Sequence, residues 1–312
     1  MRILLVGGQG FIGSTLAQEL IFRGHDVSLA GRSHTKSLLC GIQEVIYWDA
    51  SEEWSLATPR FDAVVHLASS NGSGSLDTLA TYTNNVAVTR NVVDLCKRID
   101  EASLMYVSTF QVLGRWSGVL DDQTPALPKT DYGFCHLVAE EHAKMFARVC
   151  DRKVLVARPT NIVGVSGNPD AIRWDTVPAE FCRQAIVDER IVLRSTGSQH
   201  RDFLSVQDLA LRLAMLLEVH QVWDCRTHLI GSGRSVAVAA VADMVTSSVE
   251  RQFGKCVEVE KHGDEFLSRN SQKDLNLVSS KFQGIDLVST VTKSLECVVD
   301  ELVSRAVEVF DG

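Results

Sequence analysis

The 312-residue chain has no cluster of lysine and arginine, and its formal charge is -8 at pH 7. A nucleic-acid backbone is held by concentrated positive charge, so that class of partner is excluded and a small molecule is expected instead. There is no C-x-x-C pair among the eight cysteines, at 40, 96, 135, 150, 182, 225, 256 and 297, and none falls at zinc spacing with the nine histidines. They read as buried thiols in a reducing compartment, and no metal is expected. No apolar stretch approaches the roughly 20 residues needed to cross a bilayer. The run Ile3-Leu4-Leu5-Val6 stops at Gly7-Gly8, too soon for a signal peptide, so it reads as a strand and the protein as cytoplasmic. There is no internal repeat and no low-complexity tail.

What is present is an ordinary globular balance, 45% hydrophobic and 22% charged residues, in a chain long enough for one large and one smaller lobe. Short β-rich runs alternate with helical ones: Ile3 to Val6, the helix Phe11 to Phe22, Val27 to Ala30, Val45 to Tyr47, Ala63 to Leu67, Leu104 to Val107 and Val154 to Ala157. Alternation of this kind implies parallel strands joined by right-handed crossovers, an α/β, Rossmann-like doubly wound sheet whose ligands lie at the carboxyl ends of its strands. After Pro159 the rhythm breaks at Gly164, Gly167, Pro169 and Pro178 before a helix near Ala179 to Val187. Residues 1–165 are expected to bind a dinucleotide. Residues 166–312 are expected to form mainly a smaller, interleaved substrate-binding lobe, with about 200–232 returning to the sheet. Helical periodicity at Val236 to Gly254 and Leu287 to Phe310 predicts core-facing stripes there.

Gly7, Gly8, Gly10, Phe11, Ile12 and Gly13 follow a predicted strand and open a predicted helix. The glycines allow a tight turn and close backbone approach to a pyrophosphate, whose charge the helix amino terminus attracts. The second strand ends Leu29-Ala30-Gly31-Arg32-Ser33, without the carboxylate that would hold the ribose 2′-hydroxyl of NAD. Arg32 instead suits a 2′-phosphate. NADP(H) is therefore the preferred cofactor and NAD(H) the alternative.

Further stretches stand in a fixed order: Phe61-Asp62-Ala63-Val64-Val65-His66-Leu67-Ala68, Asn84-Asn85-Val86, Tyr106-Val107-Ser108-Thr109, Tyr132-Gly133-Phe134-Cys135-His136, Arg158-Pro159-Thr160-Asn161 and Gly197 to Asp208. With them the chain resembles, over nearly its whole length, the extended short-chain dehydrogenase/reductase family. The resemblance implies that Asp49 and Ala50 lie by the adenine and that Leu67, Ala68 and Ser69 border the pyrophosphate and nicotinamide ribose. It makes Thr109 the catalytic Ser/Thr and Tyr132 the acid–base tyrosine. It places Pro159, Thr160 and Asn161 by nicotinamide and substrate, with Ser108, Asn161 and Arg201 among the substrate-binding residues. Arg201 would grip a diphosphate, with Arg269 as a second candidate. The resemblance also implies a homodimer through helices near Leu76 to Lys97 and Asp131 to Val149.

One position departs from the family. A phenol has an unperturbed pKa of about 10 and needs a nearby cation before its anion is accessible at neutral pH. The family supplies a lysine four residues after the tyrosine; here the residue is His136. Positions i and i+4 share one helix face, so His136 reaches the same neighbourhood. A unit cation at about 4 Å is worth roughly 4 kcal/mol at an effective dielectric near 20, whereas an imidazole is mostly neutral at pH 7. His136 is expected to contact the ribose and relay a proton, as both a catalytic and a cofactor-binding residue.

Relatives that dehydrate nucleotide sugars carry an Asp-Glu pair after the catalytic Ser/Thr, where this chain has Phe110-Gln111. Without those carboxylates reduction and 4-epimerisation remain. The expected activity is NADPH-dependent reduction of a 4-keto group on a nucleotide-diphospho-6-deoxy sugar. A 4-epimerase with retained NAD and a non-catalytic NADPH-binding sensor or support protein are the alternatives.

Overall fold

The first strand, β1 (Arg2–Val6), is buried along Ile3, Leu4, Leu5 and Val6, as expected of a strand covered on both faces. Side chains alternate between faces, so Ile3 and Leu5 serve one core and Leu4 and Val6 the other. The computed structural model describes residues 1–32, 39–57, 60–69, 78–262, 275–278, 282–285, 287 and 292–311.

β1 lies inside a seven-stranded sheet whose strand pairs are all parallel. The other strands are β2 (Asp26–Gly31), β3 (Glu44–Tyr47), β4 (Ala63–His66), β5 (Ser103–Val107), β7 (Val154–Pro159) and β11 (Thr227–Ile230), in the order β11-β7-β5-β4-β1-β2-β3. Strands leave β1 in opposite directions through β2 and β4, so the order reverses beside β1 and opens a crevice at the carboxyl ends of β1 and β4. On one face α1 (Phe11–Phe22) and α5 (Val206–Glu218) pack Leu16, Leu20, Leu209 and Leu213 against Ile3, Leu5 and Leu29. On the other, α2 (Thr78–Arg98) and α3 (Asp131–Cys150) pack Val92, Leu95, Ala143 and Phe146 against Leu4, Val6 and Leu104. This is the doubly wound Rossmann-like arrangement that the alternating pattern predicts.

The remaining elements build a second core. Helices α4 (Val177–Val187), α6 (Val238–Phe253) and a last helix α7 (Leu295–Phe310) enclose Phe181, Cys182, Val241, Val245, Val299 and Leu302. A three-stranded sheet, β12 (Ser235–Ala237), β10 (His200–Ser205) and β8 (Asn161–Val163), joins the two cores. Two small parallel pairs complete the strands: β9 (Arg190–Leu193) with β13 (Glu258–Lys261), and β6 (Gly118–Leu120) with β14 (Leu275–Leu277).

Three sequence expectations need adjustment. Of the segment about 200–232, only β11 enters the main sheet; β10 pairs with β8 and β12 instead. Residues 235–237 form a strand edge before α6 begins at Val238, and the last helix starts at Leu295, where Ser294 accepts the Cys297 amide as its cap. The apolar residues Val238, Val241, Ala242 and Val245 are buried. Among the described residues no helix is long and apolar enough to cross a membrane.

Candidate active site

Gly7 follows β1 at φ +85°, a conformation that side chains other than hydrogen resist. A Cβ on Gly13 would stand 2.5 Å from the Gly7 carbonyl oxygen and 2.6 Å from Gly8 Cα. The turn therefore admits no side chain where helix and strand meet. Gly10 caps α1 without any side-chain hydrogen bond, leaving the first-turn amides of Phe11, Ile12 and Gly13 open to an anion. A pyrophosphate fits this cradle.

The crest of the sheet holds the other residues expected near the cofactor. Arg32 is exposed at the end of β2, and its charge helps hold the Asp49 carboxyl below the usual range, after two bonds from Ser51 at 3.0 and 2.8 Å. The Ala50 carbonyl accepts a 3.0 Å bond from Asn91 of α2. Leu67, Ala68 and Ser69 follow β4, and a Cβ on Gly7 would meet the Ala68 nitrogen at 2.9 Å.

A cavity of about 550 Å³ opens beside this turn, lined by Phe11, Ile12, Ser108, Thr109, Tyr132, Pro159, Thr160, Asn161 and Arg201 from the sequence reading. Gln111, Arg173, Asp175, Val177 and Phe203 complete much of the wall. Thr109 leaves β5 in extended conformation, its oxygen accepting the Gln111 amide at 3.3 Å. Tyr132 stands in the first turn of α3, which Thr130 caps through Gly133 N at 3.1 Å. The Tyr132 and Thr109 side chains face the same cavity. Burial raises the phenol's pKa, opposed by the Arg173 charge and the neighbouring Thr109 hydroxyl and aided by Asp175.

His136 is not on the cavity wall. It lies behind Tyr132, ring centroids 4.5 Å apart, 3% exposed, with Nδ1 2.7 Å from the Tyr106 hydroxyl. Burial lowers its pKa to about 4, so at neutral pH it carries no charge. A desolvated, neutral imidazole supplies no cation beside Tyr132.

Behind the cavity runs a buried ionic framework that the sequence reading missed. Arg158 of β7 grips Glu140 of α3 through bonds of 2.8 and 2.6 Å, with Glu140 wholly buried. Ser108 donates its hydroxyl to the same carboxylate at 2.6 Å, so the hydroxyl expected to bind substrate is committed to Glu140. The i+4 and i+8 spacing from Tyr132 was the available signal. Asn161 donates to the Asp202 carbonyl at 2.8 Å, while the Asp202 carboxylate takes the Ser232 amide and hydroxyl, each at 2.9 Å. Asp202 thus fixes the loop after β11.

Arg201, on β10, is half-buried, and its Nε has no hydrogen-bond partner among the described residues. Desolvation lowers its pKa. It also lines a neighbouring cavity of about 390 Å³ with Arg115, Trp116 and Lys129. Arg269 lies outside the described residues. Arg173 and Asp175 were missed, because only the fold shows that their loop faces Tyr132.

Residues 3–228 match the model of the NAD dependent epimerase/dehydratase family. UDP-glucuronic acid decarboxylase 1 of Danio rerio is 29% identical over 236 residues, 69% of this chain and 54% of that protein, so the match spans about half of the relative's length. A putative UDP-glucose 4-epimerase of Methanocaldococcus jannaschii is 24% identical over 79% of this chain and 82% of its own. Among solved structures, the UDP-glucuronic acid 4-epimerase from Bacillus cereus in complex with NAD superposes with a TM-score of 0.82 at 21% identity, over 99% of this chain and 100% of that one.

Proposed function

Since the chain belongs to the NAD dependent epimerase/dehydratase family, enzymes of the extended short-chain dehydrogenase/reductase type, we propose that it is an NADPH-dependent reductase of a 4-keto group on a nucleotide-diphospho-6-deoxy sugar. The observation that carries this reading is the placing of Tyr132 and Thr109 on the wall of one cavity, where burial favours the protonated phenol. A protonated phenol is the state that reduction consumes, whereas oxidation of a hydroxyl, the first step of epimerisation, needs the phenolate.

With its pyrophosphate in the glycine cradle, a bound NADPH would supply the hydride. The chain's residues do the rest. Thr109 donates a hydrogen bond to the ketone oxygen, and Tyr132 gives that oxygen its proton. Arg201, a half-buried cation with no carboxylate partner among the described residues, suits a diphosphate, and Val177, Phe203 and Ile162 supply apolar wall. Among the described residues dehydration finds no ready acid and base: Phe110 is buried, Asp131 accepts from Tyr82, and Asp175 is engaged with Arg173. Arg32 at the end of β2 supports NADPH over NADH. A homodimer through α2 and α3 is part of the reading, their exposed Val86, Phe134, Met145 and Val149 being apolar surface for it.

The test is NADPH oxidation, followed by absorbance, against TDP-, UDP-, CDP- and GDP-linked 4-keto-6-deoxy sugars. Turnover on one of them that falls about a hundredfold or more in Tyr132→Phe supports the reading; full turnover in that variant overturns it. The likeness to 4-epimerases favours a second reading, in which the purified protein retains stoichiometric NAD and interconverts sugar nucleotides without external cofactor.

A further inference from the structure

The cavity holds a cation that no motif announces. Arg173 stands between β8 and α4, its guanidinium clamped to Asp175 by bonds of 2.7 and 2.6 Å, and its side chain stays 33% exposed. It lines the same cavity as Tyr132 and Thr109. The coupling to Tyr132 is mutual: the guanidinium favours the phenolate, and the phenol's charge in turn raises the pKa of Arg173. Asp175 works against it. Among the described residues, Arg201 is a further cation on the cavity wall but is not among the charges acting on the phenol, and the groups packed against Tyr132 carry no positive charge. His136, on its own helix, is neutral; Tyr106, from β5, is a phenol pushed far up by burial; Thr109 is a hydroxyl.

We propose that Arg173, held in place by Asp175, is a positioning residue that supplies the positive charge Tyr132 needs to release its proton, taking the part that a helical cation at position 136 cannot play. This rests on the reading of Tyr132 as the acid of a carbonyl reduction. In that step the hydride from NADPH forms the new C–H bond, the carbonyl oxygen takes the Tyr132 proton, and a phenolate is left that water reprotonates through the open cavity. Burial alone would make the phenolate inaccessible. The adjacent guanidinium offsets that cost, and Asp175 both fixes its direction and tempers its charge.

The pair makes opposite predictions for its two members. The full chain is prepared with difluorotyrosine at its four tyrosines, which brings phenol ionisation into a range where the fold survives, and the Tyr132 resonance is identified by its loss in Tyr132→Phe. The 19F titration midpoint of Tyr132 should rise by about one pH unit in Arg173→Gln, stay within about 0.3 of the parent in Arg173→Lys, and fall in Asp175→Asn. The pH profile of turnover should move with it. An unmoved midpoint in Arg173→Gln overturns the proposal, and so does a shift of both Arg173→Gln and Asp175→Asn in one direction, the mark of a merely disturbed loop. A displaced midpoint in a protein that reduces no keto-sugar nucleotide keeps the role of Arg173 and overturns the substrate reading, whereas an unmoved midpoint with robust turnover does the reverse.

Discussion

His136 Nδ1 lies 2.7 Å from the phenolic oxygen of Tyr106, both side chains only 3% exposed, so the residue that follows Tyr132 by one helical turn belongs to a buried ring stack. His66 continues that stack, its ring centroid 5.1 Å from Tyr106 and its Nε2 3.1 Å from the Thr89 hydroxyl. The stack makes the protein sensitive to acid. Burial holds His136 at about 4 and His66 at about 3, both below the ordinary value of 6.5. The unfolded chain therefore binds more protons than the folded one below about pH 6.5, and stability falls as pH drops from there towards those values. Each tenfold change in proton affinity is worth about 1.4 kcal/mol, so the two together weaken the fold by several kcal/mol. Urea midpoints should decline over that window, less steeply in His136→Gln; a flat profile would show that the histidines are not held neutral.

The Glu140–Arg158 pair should be costly to halve. Removing one partner of a buried pair leaves an uncompensated charge, at about 3–5 kcal/mol. Glu140→Gln should lower the unfolding free energy by that order. The Glu140→Leu, Arg158→Met double variant should lose less than the sum of its single variants. Additive losses in denaturant titrations would mean the two act independently.

Exchange of Arg32 should separate the two nicotinamide cofactors. A charge-assisted contact to a 2′-phosphate contributes about 1.5–3 kcal/mol. Arg32→Ser should weaken NADPH binding about tenfold or more while leaving NADH nearly unchanged, as read by fluorescence titration. An unaltered NADPH-to-NADH ratio would remove Arg32 from the cofactor site.

The glycine turn predicts an order of damage. An added Cβ meets backbone at 2.5 Å on Gly13 but at no less than 3.2 Å on Gly10. Gly13→Ala should therefore lower the thermal midpoint more than Gly10→Ala, and it should abolish measurable NADPH binding. The reverse order in calorimetry would contradict the packing described.

Periodicity and punctuation in the sequence determined the order of strands and helices, the glycine turn and the helix that carries Tyr132. Those features are local, or follow from how a parallel sheet must be wound, so they are legible one segment at a time. Only the tertiary structure decided what surrounds them. It buried His136 against Tyr106, turned the Ser108 hydroxyl to Glu140, tied Asp202 to the loop after β11 and sent β10 to the smaller sheet. It also brought Arg173 from a distant loop to the phenol. Charge state and partnership depend on desolvation and on neighbours remote in the chain, and neither quantity is written in the spacing of residues.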